Sequence, residues 1–275
     1  MEPSPRLSVL IATCRPDGID RVVAMDLPEV SGVHYWVSWQ MHESLPVPDE
    51  LASREDVTVL RAGSTGLSNN RNNLLENAVG DIFLIADDDL RYSSAQLAEV
   101  IRVFDENPEV DYASFMFTGQ DAKIYPGQSC KLWPVPKHFS QTSFEVAIRN
   151  NVRTGSLRFN PYFGLGAPVL RSGEEELFLL RALRQGLNCR FFPIVITHHE
   201  GLTTGNRKIT DNGVLKASGA VIAVQYPFTA FLRIPLKAYR LHKSGQSSFL
   251  RSLRYMTYGV YYLLRHSEVR EKIYF

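Results

Sequence analysis

An α/β fold with a largely parallel central sheet is what this sequence predicts, on three observations. Short apolar runs recur: "LSVLIAT" at 7–13, "VHYWVSW" at 33–39, "VTVL" at 57–60 and "DIFLIA" at 81–86. They are continuous rather than alternating, as in strands covered on both faces. Between the third and the fourth lies a stretch of helical spacing, and strands that alternate with helices build parallel sheets. Finally, Asp87, Asp88 and Asp89 stand where the fourth run ends, and in such sheets ligands bind beyond the carboxyl ends of the strands. With 275 residues, 44% of them hydrophobic, the chain can bury a sizeable core.

The elements follow in order. The first three runs are strands separated by Pro-rich and polar turns. In "GSTGLSNNRNNLLENAVG", Leu67, Leu74, Leu75 and Ala78 have helical spacing, with Ser68 as the expected N-cap and Gly80 as the stop. Asn69, Asn70, Asn72, Asn73 and Asn77 crowd this segment although Asn is a mediocre helix former. Either they line a ligand site or they form a solvated face. Over 108–160, "DYASFMF" and "FEVAIRN" read as strands and "YPGQSCKLWPVP" as a loop long enough to suggest function. A helix is expected over 174–185, acidic in its first turn and basic late, with Gly186 ending it. "CRFFPIVITHHEG" is then a strand running into His198 and His199.

Charge divides the chain. Residues 206–275 hold 12 Lys and Arg against 3 Asp and Glu, whereas residues 1–205 hold 18 against 26. The expected organisation is therefore a catalytic domain over 1–205, with halves meeting near 107/108, and a basic, largely helical extension over 206–275. Three cysteines, Cys14, Cys130 and Cys189, show no metal-ligand or disulfide spacing, which favours a reducing compartment. The N-terminal apolar run reads as a strand and not a signal peptide, and no run approaches the roughly 18–20 residues of a membrane span. A cytoplasmic protein is expected, with attachment to the cytoplasmic face of the inner membrane left open. Leu250, Leu253, Thr257, Val260 and Leu264 follow a 3-4-3-4 spacing, with Arg251, Arg254, Tyr258, Tyr261 and Arg265 one residue later. Such a helix either lies on an anionic membrane surface or packs on the core with a basic outer face.

Three adjacent carboxylates repel one another, so their place after a buried strand needs a reason. Oxygen ligands of this kind suit Mg²⁺ or Mn²⁺, which bridges carboxylates to substrate phosphates. A solvated acidic turn or a helix cap is the alternative for the triplet taken alone. The surrounding stretch, "TGLSNNRNNLLENAVGDIFLIADDDLRY" at 65–92, resembles the nucleotide-sugar core of family 2 glycosyltransferases, which have the GT-A fold. In that family a loop of the character GLSxxRN opens a helix, and the next strand ends in a DxD-type metal motif and an aromatic residue. The matching residues are Gly66, Leu67, Ser68, Arg71 and Asn72, then Asp87, Asp88, Asp89 and Tyr92. "LSVLIATCRP" looks like the family's first strand, whose end contacts the nucleotide, here Thr13, Cys14 and Arg15. The stretch "FGLGAPVLRSGEEELFLLRALRQGLNCRFFPIVITHH" at 163–199 resembles the acceptor-side motif. Gly166 lies in its loop, Glu174 and Glu175 match the acidic pair, and Glu175 takes the place of the catalytic base. One departure stands out: the family's second strand ends in Asp, and this one offers only Ser38 and Gln40.

The resemblance implies a metal-dependent, inverting transfer of a sugar from a nucleotide-diphosphate donor, a UDP-sugar favoured. The acceptor is a hydroxyl of a glycan or lipid-linked molecule in bacterial-type surface-polysaccharide biosynthesis, and no nucleic-acid partner is expected. It implies Mn²⁺ or Mg²⁺ on Asp87 and Asp89, His198 or His199 on the metal or diphosphate, and Asp88 on a metal-bound water or the sugar. Duller roles stay open beside these. Ser172 and Glu175 have capping-box spacing, Glu174 and Glu176 suit a helix dipole, and the alternative for Arg71 is a plain surface charge. A nucleotidyltransferase is the competing enzyme, but "ATCRPDG" lacks the Gly-rich, Lys-containing loop that would favour it. A non-catalytic nucleotide- or glycan-binding module is the other competitor.

Overall fold

A computed structural model describes residues 4–119, 123–136, 139–199 and 211–274 of the chain. The expected domain boundary at 205/206 lies outside the described residues. The chain divides into two compact units. One takes Met1–Thr65, Asn70–Arg158 and Ala182–Thr203; the other takes Gly66–Asn69, Phe159–Arg181 and Thr204–Phe275.

The first unit is built on a sheet. Its strands are β1 (Leu7–Cys14), β2 (Val33–Gln40), β3 (Val57–Ala62), β4 (Ile82–Asp87), β5 (Leu90–Arg91), β6 (Tyr112–Gly119), β7 (Cys130–Lys131), β8 (Val146–Arg149) and β9 (Cys189–His199). They lie in the order β3-β2-β1-β4-β8-β6-β9-β5, with β7 also on β9. β1, β2, β3, β4, β6 and β9 share one direction, and β5, β7 and β8 run against it. The sheet is therefore mostly parallel, as the apolar runs predict. The reason is visible in β1, whose Leu7, Val9, Leu10 and Ile11 are all fully buried: a central strand covered on both faces has no solvent side to make polar. Strand order reverses at β1, which pairs β2 on one side and β4 on the other. That is the topological switch point where open α/β sheets bind ligands. Register places Asp87 of β4 opposite Ala12 of β1.

Helices α1 (Gly18–Ala24), α2 (Asp49–Ala52) and α4 (Ser94–Glu106) complete the connections between these strands. α3 (Leu67–Asn77) starts one residue before the expected cap, so Ser68 lies inside the helix and Gly66 precedes it. "FEVAIRN" is only partly a strand: Ser143–Glu145 form a 3-10 turn with a Thr142–Glu145 capping box, and β8 starts at Val146.

The second unit is helical. It includes the first turns of α5 (Glu174–Arg184), then α6 (Asn212–Gln225), α7 (Ala230–Lys243), α8 (Phe249–Arg265) and α9 (Ser267–Tyr274). One cluster joins Phe163, Leu170 and Leu177 to Ala217, Ala220 and Val221 of α6 and Val269 of α9. Another joins Leu215 and Ile222 of α6 to Ile234 and Leu241 of α7 and Met256 of α8. On α8 the buried stripe is Ser252, Met256, Gly259 and Leu263, not the stripe beginning at Leu250. The two glycines explain the shift. A Cβ on Gly219 would lie 2.0 Å from the Met256 carbonyl oxygen, and one on Gly259 would lie 1.9 Å from that of Lys216. Backbone meets backbone there, so the face that carries glycine, and not the one richest in leucine, turns inward.

Candidate active site

The sheet unit places the aspartate triplet at the switch point, and each carboxylate faces a different partner. Asp87 Oδ1 accepts from Arg71 Nη2 at 2.7 Å. Asp88 Oδ2 accepts from Thr13 Oγ1 at 2.5 Å and from Arg21 Nη2 at 2.9 Å. Asp89 Oδ2 lies 3.2 Å from His199 Nε2. Three adjacent charges are thus tolerated by fanning out to α3, to the β1–α1 connection and to β9. Repulsion is not fully cancelled. Partial desolvation, followed by the charge of Asp87, pushes the Asp89 carboxyl above its ordinary range, against the opposing pull of His199. Asp88 in turn holds the Arg21 guanidinium above its usual value.

Two of these partners are braced by one short turn. Ser143 Oγ accepts a hydrogen bond from Arg71, which is itself buried. Phe144 stacks on the His199 ring, centroids 5.3 Å apart and planes at 8°, while Phe117 meets that ring edge-on. The third residue, Glu145, is fully buried and fixes the turn: it accepts from Lys123 Nζ at 2.6 Å, Tyr125 hydroxyl at 2.5 Å and Thr142 N at 2.5 Å. Consecutive side chains of a single 3-10 turn therefore support the neighbours of Asp87 and Asp89.

The histidines separate. His199 is buried beside Asp89, and its Nδ1 has no partner among the described residues. His198 is exposed and pairs with Thr118 Oγ1. The nitrogen beside Asp89 is Nε2, and an imidazole nitrogen next to a carboxylate of raised proton affinity is a donor pair that suits a divalent cation. Among the described residues no group of three or more His, Cys, Asp or Glu side chains is gathered around one point.

At the strand ends, Arg15 takes a left-handed conformation (φ 74°). Its N–H donates to Gln40 O, and its own carbonyl accepts from Trp39 Nε1. Cys14 is half-buried there. The asparagines of α3 act as tethers: Asn70 Nδ2 donates to Thr13 O at 2.8 Å and Asn73 Nδ2 to Ser38 Oγ at 2.8 Å. Gln40 donates to Ser64 Oγ at 3.2 Å. Sequence reasoning missed Arg21, Ser143 and Phe144. Arg21 pairs with Asp17 four residues earlier, an ordinary helical spacing that carries no sign of Asp88. Ser143 and Phe144 read as strand residues because the turn is only three residues long.

In the helical unit, motifs about a hundred residues apart meet. Gly66 and Gly166, at φ +91° and +84°, face each other so closely that a Cβ on Gly166 would lie 2.8 Å from Gly66 Cα. Leu67 N donates to Leu165 O at 2.9 Å, and Ser68 Oγ to Phe163 O at 2.7 Å. Ser68 thus serves this cradle and does not act as the expected cap. Glu174 is buried against it: a Cβ on Gly164 would lie 3.0 Å from the Glu174 carboxyl carbon and 3.1 Å from Ser68 Oγ. Glu175, next on α5, is half-buried, and Glu176 is exposed.

The mostly parallel sheet with its switch point at β1 is of the GT-A fold type. Residues 43–162 match the model of the family described as Glycosyl transferase family 2. Among solved structures it is similar to S. aureus TarS 1-349 in complex with UDP, with 15% identity and a TM-score of 0.56 over 79% of this chain and 65% of that one. The same protein in complex with UDP-GlcNAc gives 15% identity and a TM-score of 0.54 over 79% and 66%. This chain thus spans just under two thirds of those relatives. No curated protein matches the chain.

Proposed function

We propose that this protein is a metal-dependent, inverting glycosyltransferase. It moves a sugar from a nucleotide-diphosphate donor to a hydroxyl of a glycan or lipid-linked acceptor, in surface-polysaccharide biosynthesis on the cytoplasmic side of the membrane. The observation that carries the reading is the aspartate triplet at the β1/β4 switch point, its members separately held and one of them with raised proton affinity. A uridine donor is supported by the TarS structures solved with UDP and UDP-GlcNAc.

In this reading Thr13, Cys14 and Arg15 contact the nucleotide at the end of β1, with Ser38 and Gln40 at the end of β2. Gly66, Leu67 and Ser68 form a backbone cradle for the donor with Gly166, and Arg71 orients Asp87. Asp87 and Asp89, with His199 alongside, would hold Mn²⁺ or Mg²⁺, which would supply positive charge to the departing diphosphate. Asp88 stays on Thr13 and Arg21, free to accept a hydrogen bond from a sugar hydroxyl with its second oxygen. His198, on the exposed side, is left to the outer diphosphate. On the acceptor side Glu175 takes the proton of the attacking hydroxyl, while Glu174 remains packed in the cradle. The acceptor oxygen bonds to the anomeric carbon from the face opposite the leaving group, and the nucleoside diphosphate departs with the bonding pair.

Donor turnover with Mn²⁺ tests this, read as release of nucleoside diphosphate. Asp89→Ala and Glu175→Gln are each expected to lower transfer by at least about a hundredfold with folding intact. Near-normal turnover of Glu175→Gln removes the base assignment, and pyrophosphate as the product points to a nucleotidyltransferase instead.

A further inference from the structure

We infer that α7, together with the outer face of α8, is a docking surface for anionic lipid. α7 buries Ala230, Ile234, Ala238 and Leu241, a single stripe along one side. An ordinary surface helix would place charged and polar residues opposite that stripe. Here the opposite line is Leu232, Leu236 and Tyr239, at spacings of four and three. They are 61%, 48% and 54% exposed, with Phe231 beside them at 71% and Phe228 just ahead of the helix at 90%. Lys243 continues the same line, and Arg233 and Arg240 run along its flank, all exposed. Lys237 is set apart: desolvation, opposed in part by Glu176 of α5, lowers its pKa below the ordinary lysine value.

α8 repeats the pattern independently. Its buried stripe is Ser252, Met256, Gly259 and Leu263, and the opposite side shows Leu250, Tyr261 and Leu264 with Arg254 and Arg265. Apolar side chains at the outer pole, basic ones around them, are what a helix lying in a lipid interface needs: the first enter the acyl boundary and the second meet phosphates. α7 has 14 residues, about 21 Å of helix, too short to cross a hydrocarbon core of about 30 Å. It fits a position along the surface.

Charge selects the occupant. Residues 212–267 contain eight Lys and Arg and no Asp or Glu. A second copy that met this face with its own would bring the same positive charge and be repelled. A nucleic acid would satisfy the arginines but leave Leu232, Leu236, Leu250 and Leu264 in water. An anionic bilayer satisfies both sets. The inference stands apart from the catalytic reading, because its test needs no turnover.

The test is cosedimentation of the full chain with phosphatidylcholine vesicles, with and without phosphatidylglycerol. Binding is expected only with phosphatidylglycerol and weakens as salt is raised. Leu232→Asp with Leu236→Asp, and separately Arg233→Glu with Arg240→Glu, are each expected to lower the partition coefficient at least about tenfold. Their thermal unfolding should be unchanged, and Arg102→Glu on α4 should bind like the parent. Equal binding by parent and both double variants overturns the inference. So does an absence of binding to phosphatidylglycerol vesicles, or a concentration-dependent dimer that the same substitutions abolish.

Discussion

Asp87 and Asp89 sit two residues apart yet do different physical work. Asp87 answers Arg71, whose side chain is 1% exposed, so removing the carboxylate takes an ionic partner from a buried charge. Asp87→Ala is expected to lower stability by about 3 kcal/mol, the lower end of what breaking a buried pair costs, besides removing activity. Asp89 is half-exposed and its proton affinity is raised by its surroundings. Asp89→Ala should therefore change stability by less than about 1 kcal/mol. Urea unfolding of the two variants checks the contrast; equal losses would show that Arg71 does not depend on Asp87. The turn at Ser143 and Phe144 makes a second prediction at this scale. Phe144→Leu keeps an apolar side chain but loses the ring that stacks on His199. It should raise the Mn²⁺ concentration needed for half-maximal activity several-fold while donor KM at saturating Mn²⁺ stays near the parent value. A uniform loss in both would reduce Phe144 to a packing residue.

Helix approach is decided by single atoms in the helical unit. Gly219 of α6 and Gly259 of α8 each touch a backbone carbonyl of the other helix, and backbone cannot move aside as a flexible side chain can. Gly219→Ala or Gly259→Ala should cost at least about 2 kcal/mol and lower the unfolding midpoint seen by circular dichroism. Gly63→Ala, with nothing near its Cβ position, is the control and should melt like the parent. The same contact shows why the leucine stripe of α8 is not the buried one. Hydrophobic periodicity finds leucines, but here the inward face is set by how closely two backbones pass. In α3 the reasoning failed in a related way. Ser68 has the chemistry of a cap, yet a carbonyl 95 residues away, that of Phe163, takes its hydroxyl.

Over the whole molecule the three thiols report on burial. Cys189 lies inside the sheet unit, where burial, reinforced by Asp111, pushes its thiol up to about 12. Cys14 and Cys130 are half-buried. At pH 8 the native protein should show two reactive thiols, the third appearing only on unfolding. UDP with Mn²⁺ should slow one of the two, Cys14. Three fast thiols would contradict the packing around β9; no protection would contradict donor contact at the end of β1. Burial also accounts for what was readable at this scale. The strands of the parallel core announce themselves because both faces need apolar residues. The short strands β5 and β7 have no such requirement and leave no mark in the sequence.

What the sequence determined by itself is what rests on local rules. Continuous apolar runs required a covered sheet, the acidic first turn and Gly186 framed α5, and the Asp triplet marked a strand end. Tertiary structure alone decided the partners: Thr13 and Arg21 for Asp88, Ser143 and Phe144 behind Arg71 and His199, and His199 in place of His198 beside Asp89. Those choices depend on which distant segments come within hydrogen-bonding distance once the sheet has closed. Residue type and spacing do not encode that distance, because it is set by the packing of the entire core.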